Sequence, residues 1–279
     1  MATRAAAAVE TRIRPSGQWR DLGLWELPGN GELLYYLVLR DVKVRYRQSI
    51  FGVLWAFLQP ILTTAVLTLF LGRLQGIGPA GVPYPLFVLS GLVAWNLFAS
   101  TFTAIASSLV SSAGLLQKVY IPRLLFPIAS VGVFLIDHAV GLGTLLVLMF
   151  TYGAAFHPTI LLIPIFSLLV VFTSLSFGIW AAALNVRYRD VRIVVPFIIQ
   201  LGFLATPVAY TSSLVPEQFR AIVGLNPMLV IIAGFRFAVF GEAPPSLLSI
   251  ALALLVAAVV LVTGLIYFRR VERTFADVI

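Results

Sequence analysis

"LRDVKVRYRQSIFGVLWAFLQP", residues 39–60, sets four cations, Arg40, Lys43, Arg45 and Arg47, within eight positions, and no charged residue follows until Arg73. A basic cluster at the edge of an uncharged apolar run is the pattern of a chain entering a membrane. Lys and Arg held at one headgroup layer fix which way the run inserts. Just upstream, "PGNGELLYYLVLRD" (28–41) offers a turn, Asn30 as a helix cap and the apolar run Leu33–Leu39. Such a run rises only about 10 Å, too little to cross, so the helix is expected to lie along the inner surface. On it Arg40, Lys43 and Arg47 share one face, and Asp41 is spaced to pair with Arg45.

The rest of the chain has the same character. It is 279 residues long and 60% hydrophobic, with a mean hydropathy of +1.01, which is more apolar surface than one soluble core can bury. The net charge of +8 does not indicate nucleic acid, because the cations sit between apolar runs and not on a polar face. With no cysteine, only His138 and His157, and no carboxylate cluster, the sequence holds no metal-ligand set and no catalytic constellation. The first 23 residues carry Glu10, Arg12, Arg14 and Arg20 and no apolar core, so no cleavable leader is expected there.

About 20 apolar residues cross a bilayer. Six segments qualify: 51–72, 84–107, 125–150, 159–183, 193–210 and 247–268. The stretch 222–241 is also apolar but contains Pro227 and Arg236. With six crossings and a cytoplasmic N-terminus, sixteen Lys/Arg fall inside and three (Arg73, Arg220, Arg236) outside. A seventh crossing would carry Arg269, Arg270 and Arg273 out, against the positive-inside bias. Residues 213–241 are therefore read as two half-helices that dip in from the outer face and return. The expected organisation is an all-α integral membrane protein: a cytoplasmic segment 1–30, an interface helix and basic collar 31–49, a six-span domain 50–268 and a cytoplasmic tail 269–279.

Several residues have two readings. Asp137 and His138 lie mid-run, where an ionised group is costly unless it meets protein or water. They line a conduit, relay protons, or form a packed hydrogen-bonded pair. Trp55, Tyr84, Trp95, Tyr152, Tyr210 and Tyr267 suit interfacial belts, while Trp55, Phe98 and Phe102 also suit a pore that passes sugar rings. Arg236 is either a clamp on carbonyls freed around Pro227 or an exit contact. Arg187, Arg189, Asp190 and Arg192 form a second basic loop that orients the chain or pairs with a partner. Among other classes, a proton-coupled carrier would use Asp137 and His138, but no hydropathy repeat links two halves. A membrane enzyme lacks polar catalytic groups.

"RYRQSIFGVLWAFLQP" (45–60) resembles the opening of permease subunits of type-2 ABC exporters, in the branch that moves O-antigen, capsule and teichoic-acid polymers. Four further stretches are similar, in the same order: "LLQKVYIPRLLFPIAS" (115–130), "LNVRYRDV" (184–191), "FLATPVAY" (203–210) and "LNPMLVIIAGFRFAVFG" (225–241). The resemblance implies a homodimer in a bacterial cytoplasmic membrane, both termini cytoplasmic. It implies an interface helix, a coupling helix between spans two and three, and paired outer re-entrant helices containing Asn226, Pro227 and Arg236. It also implies two separate ATPase chains, holding ATP and Mg, which would dock on Arg40, Lys43, Gln117, Lys118, Tyr120, Pro122 and Arg123. The cargo would be a lipid-linked polysaccharide whose diphosphate meets Arg45, Arg47 and Arg123 by bidentate hydrogen bonds. Its path would pass Trp55, Phe98, Phe102 and Asp137. An exporter of smaller lipids or drugs on the same fold is the nearest alternative. The only lysines, Lys43 and Lys118, do not follow glycine, so the sequence carries no GxxxxGK phosphate loop.

Overall fold

The computed structural model describes residues 28–47, 54–73, 81–119, 121–214, 216–218 and 224–272. Among these, every regular element is a helix. In chain order they are α1 (Gly31–Arg47), α2 (Leu54–Leu67), α3 (Tyr84–Ser111), α4 (Ala113–Leu116), α5 (Leu125–Thr151), α6 (Ile163–Arg187), α7 (Val191–Ala205), α8 (Pro227–Phe240) and α9 (Leu247–Glu272). α2 continues with π geometry over Thr68–Arg73, and a 3₁₀ turn, Pro158–Leu162, leads into α6.

Five of these helices are long and apolar enough to cross a membrane: α2 with its extension, α3, α5, α6 with its leading turn, and α9. The expected span 193–210 differs. Its helix α7 is 15 residues long and ends at Ala205, a rise of about 22 Å, and the chain then turns. The turn is held from two sides. Arg236 donates to the Val208 carbonyl at 2.7 Å, and α3 approaches so closely that a Cβ on Gly91 would lie 2.7 Å from that same oxygen. Backbone leaves the helical ladder here because protein groups satisfy it. Of the two expected half-helices, the second is α8. The first falls partly outside the described residues, after a single 3₁₀ turn at Ser212–Leu214.

α3 is the hub. It packs on α6 and α5 most extensively, and also on α8, α2 and α7. Its buried Ser90, Thr101 and Ser108 return their hydroxyls to carbonyls three or four residues back in the same helix, as do Thr173, Ser174 and Ser176 on α6. Internal bonding of this kind lets hydroxyls lie in an apolar interior. Glycines set the closest helix contacts: a Cβ on Gly178 would strike Ile105, one on Gly264 would strike Trp180, and one on Gly234 would overlap the buried Phe166 ring. Above Gly264, Trp180 stacks on Tyr267 with ring centroids 4.8 Å apart. Trp95 is buried against Phe98 and Phe203, so its bulk fills the interior and it is not a belt residue.

α1 does not lie by itself along a surface. It packs lengthwise on α5 and runs in the same direction, with Val38 over Gly132 and Arg45 and Tyr46 meeting Asp137. The expected Asp41–Arg45 pair does not form. Asp41 is bound by the adjacent Arg40 at 2.8 Å, and Arg45 is drawn to the carboxylate on α5.

Gly234→Ala is expected to destabilise the fold by about 1–3 kcal/mol through overpacking. Gly143→Ala on α5, where a Cβ meets nothing within 4 Å, is expected not to destabilise and to gain up to about 1 kcal/mol from helix propensity. Thermal unfolding of the purified protein in detergent checks both.

Candidate functional site

Where α1, α2, α3 and α5 meet they enclose a cavity of about 420 Å³. Its polar lining comes from all four helices: Arg45 and Tyr46 from α1, Gln59 from α2, Asn96 and Ser100 from α3, and Asp137 from α5, with Trp55 as an aromatic wall. Asp137 lies twelve residues into α5, about 18 Å along its axis. Both of its oxygens are engaged. Arg45 Nη2 donates to Oδ2 at 2.7 Å, and the Tyr46 hydroxyl donates to Oδ1 at 2.5 Å. The Arg45 guanidinium also sits 4.6 Å over the Phe134 ring, a cation–π contact that holds its plane. Burial first, and then the bond to Asp137 and its charge, push the Tyr46 phenol up to about 12. Tyr46 is thus a hydrogen-bond donor throughout the physiological range.

The predicted pathway residues divide between two places. Trp55 and Asp137 line the polar cavity. Phe98 and Phe102 line a second hollow of about 450 Å³, walled by α3, α6, α7 and the start of α8 and almost wholly apolar. Asp137 and His138 are not paired with each other. Adjacent residues on a helix point about 100° apart, so Asp137 reaches α1 while His138 Nε2 contacts Ser167 Oγ of α6 at 2.8 Å.

One end of the bundle gathers the expected docking residues from two segments. Arg40 of α1 donates to Ser112 at the end of α3 at 3.4 Å, so the base of α1 lies beside the link between spans two and three. On that end Lys43, Gln117 and Lys118 are exposed and Pro122 is half-buried. Tyr120 lies outside the described residues. Between α3 and α5 lies a four-residue helix, α4 (Ala113–Leu116), just before Gln117. Of the three arginines expected to meet a diphosphate, Arg45 lines the cavity and Arg47 is exposed at the end of α1. Arg123 instead donates to the Glu272 carbonyl at the end of α9.

At the opposite end, Asn226 caps α8 by accepting from Met228 N at 3.0 Å and donates to Thr206 Oγ1 at 2.7 Å. Pro227 therefore stands at the first helical position, where its missing N–H costs nothing. Arg236 is 5% exposed. It clamps Val208, not the carbonyls around Pro227, with its guanidinium 3.6 Å over Phe87. Sequence reasoning passed over Gln59, Asn96 and Asn185. Asn185 donates to the Ala106 carbonyl and ties α6 to α3. The available signal was a lone carboxamide in or beside an apolar run, the same signal that drew notice to Asp137. Among the described residues no three His, Cys, Asp or Glu lie close enough to hold a metal.

A bundle with five helices long and apolar enough to cross a bilayer defines a multi-pass membrane protein. The family model for ABC-2 type transporters matches residues 32–240, and the chain belongs to that family of transporter permeases. Several relatives carry the name O-antigen export system permease protein RfbA. One from Klebsiella pneumoniae is 28% identical over 252 residues, covering 89% of this chain and 95% of that protein. The one from Myxococcus xanthus is 34% identical over 215 residues, covering 75% and 80%. The polysialic acid transport protein KpsM of Escherichia coli is 21% identical over 213 residues, covering 73% and 79%.

Arg236→Met keeps the aliphatic bulk but leaves the Val208 carbonyl without its donor, at an expected cost of about 1–3 kcal/mol. Asn226→Ala removes the α8 cap at about 1 kcal/mol. Both are read as a lowered unfolding temperature in detergent.

Proposed function

We propose that this chain is the membrane-spanning subunit of an ATP-driven exporter that carries a lipid-linked polysaccharide, of O-antigen, capsule or teichoic-acid type, across a bacterial cytoplasmic membrane. The observation that carries the reading is its similarity, over most of its length, to permeases named for O-antigen export. α7 and the turn Thr206–Tyr210 make the sixth crossing, and both termini lie in the cytoplasm. α8 is the returning arm of the outer re-entrant pair. Two copies form the conduit, and the outward apolar faces of α2 and α7, including Leu62, Val66, Phe197 and Leu201, are available to lipid or to the second copy.

Two ATPase subunits, holding ATP and Mg, dock at the inner end. The Arg40–Ser112 contact supports this, because it sets the basic collar of α1 beside the segment that leads to the exposed Gln117 and Lys118. The lipid diphosphate is received at Arg45 and Arg47. The indole, carboxamide and carboxylate groups around the cavity suit a sugar chain, whose rings offer apolar faces and whose hydroxyls both donate and accept.

Reconstitution with the ATPase subunit tests the assignment. A lipid-linked glycan is expected to stimulate ATP hydrolysis by the assembled complex, and a chain that neither binds an ATPase nor responds to the glycan overturns it. For the topology, cysteines placed at Ser212 and Ala243, both exposed, are expected to react with an impermeant maleimide added outside intact cells. Labelling only after permeabilisation rejects the six-crossing arrangement.

A further inference from the structure

We propose that Asp137 is a built-in counter-anion that keeps Arg45 a weak, readily released binder of the diphosphate head group. The proposal rests on the reading above that Arg45 receives that group. Asp137 is the only acidic residue within the apolar runs, and it is spent wholly on α1: Arg45 takes one carboxylate oxygen and Tyr46 the other. The pairing on the arginine side is incomplete. Arg45 gives Asp137 a single hydrogen bond, through one Nη, whereas a guanidinium can give a carboxylate or phosphate two parallel N–H bonds, and its other close polar neighbour is the Tyr46 hydroxyl. With 43% of its side chain exposed and its place in the cavity lining, the guanidinium is accessible to a second anion.

Any such anion arrives beside the carboxylate already bound to the same group. Like charges a few ångströms apart in a partly buried site repel strongly, so Asp137 lowers the affinity that Arg45 alone would show. A conduit needs this, because cargo must bind well enough to enter and weakly enough to leave. Tyr46 keeps the carboxylate in place: its second bond stops Asp137 from turning away when the ligand engages Arg45.

The test uses the full chain in nanodiscs, with geranyl diphosphate as the probe, geraniol as the uncharged control and binding followed by calorimetry. Asp137→Asn, nearly isosteric and still able to accept hydrogen bonds, is expected to bind geranyl diphosphate at least tenfold tighter than the unaltered chain. Reconstituted with its ATPase it is expected to show a lower half-saturating concentration of lipid-linked glycan together with a lower maximal rate. A purely structural role for Asp137 predicts weaker binding, not tighter. Asp137→Ser carries the same expectation should the asparagine variant not fold, and Asp137→Glu, which keeps the charge, is expected to show no such tightening. Arg45→Gln is expected to lose binding at least tenfold. If Arg45→Gln binds normally, Arg45 is not the receiver and the underlying reading fails. If it loses binding while the Asp137→Asn affinity is unchanged or weaker, the counter-anion is overturned and that reading stands. Inorganic pyrophosphate is expected to bind at least tenfold more weakly than geranyl diphosphate; equal affinity overturns the lipid as the source of the anion.

Discussion

An ionised carboxylate inside an apolar helix cannot be left alone, and the pairing of Asp137 decides how the inner half of this protein is built. Its partners, Arg45 and Tyr46, lie more than ninety residues earlier in the chain. To reach them, α1 must stand against α5 instead of resting by itself at the surface. Val38 then fits over Gly132, where any side chain would hold the helices apart. Once α1 is upright, Trp55 and Gln59 of α2 face Asn96 and Ser100 of α3 across a space that apolar side chains do not fill.

The far end solves a different problem with a similar device. A helix of 15 residues leaves its chain to turn inside the bundle, and exposed carbonyls there need donors. Arg236 supplies one to Val208 and Asn226 binds Thr206. In both halves a long-range polar contact fixes an element whose own sequence does not specify its position. The hub α3 touches both arrangements, through Gly91 above and Asn96 below.

The helical class and the five long helices were legible in the sequence because each depends on local composition alone. Asp137 stood out for the same reason, as a charge in the wrong solvent. Its partner did not. Spacing along α1 offered Asp41 to Arg45, yet Asp41 is taken by Arg40 and the stronger claim on Arg45 comes from another helix. The end of α7 was illegible likewise: 193–210 reads as one apolar run, and only the approach of Gly91 and Arg236 shows why it breaks at Ala205. Phe98 and Phe102 shared an aromatic character with Trp55, but which side of α3 they occupy follows from the neighbours of that helix, not from its residues.

α1 is a single unbroken helix of 17 residues, about 25 Å long, with Arg40 on Ser112 at the end of α3 and Arg45 and Tyr46 at the cavity. A rod that touches two chambers makes them thermodynamic partners. Any partner whose binding shifts α1 at its Ser112 contact changes by the same shift how firmly the cavity holds an occupant, and the occupant returns the same factor to that partner. Reciprocity of that kind needs no chain of relaying residues between the two ends, only a helix stiff enough to move as one piece.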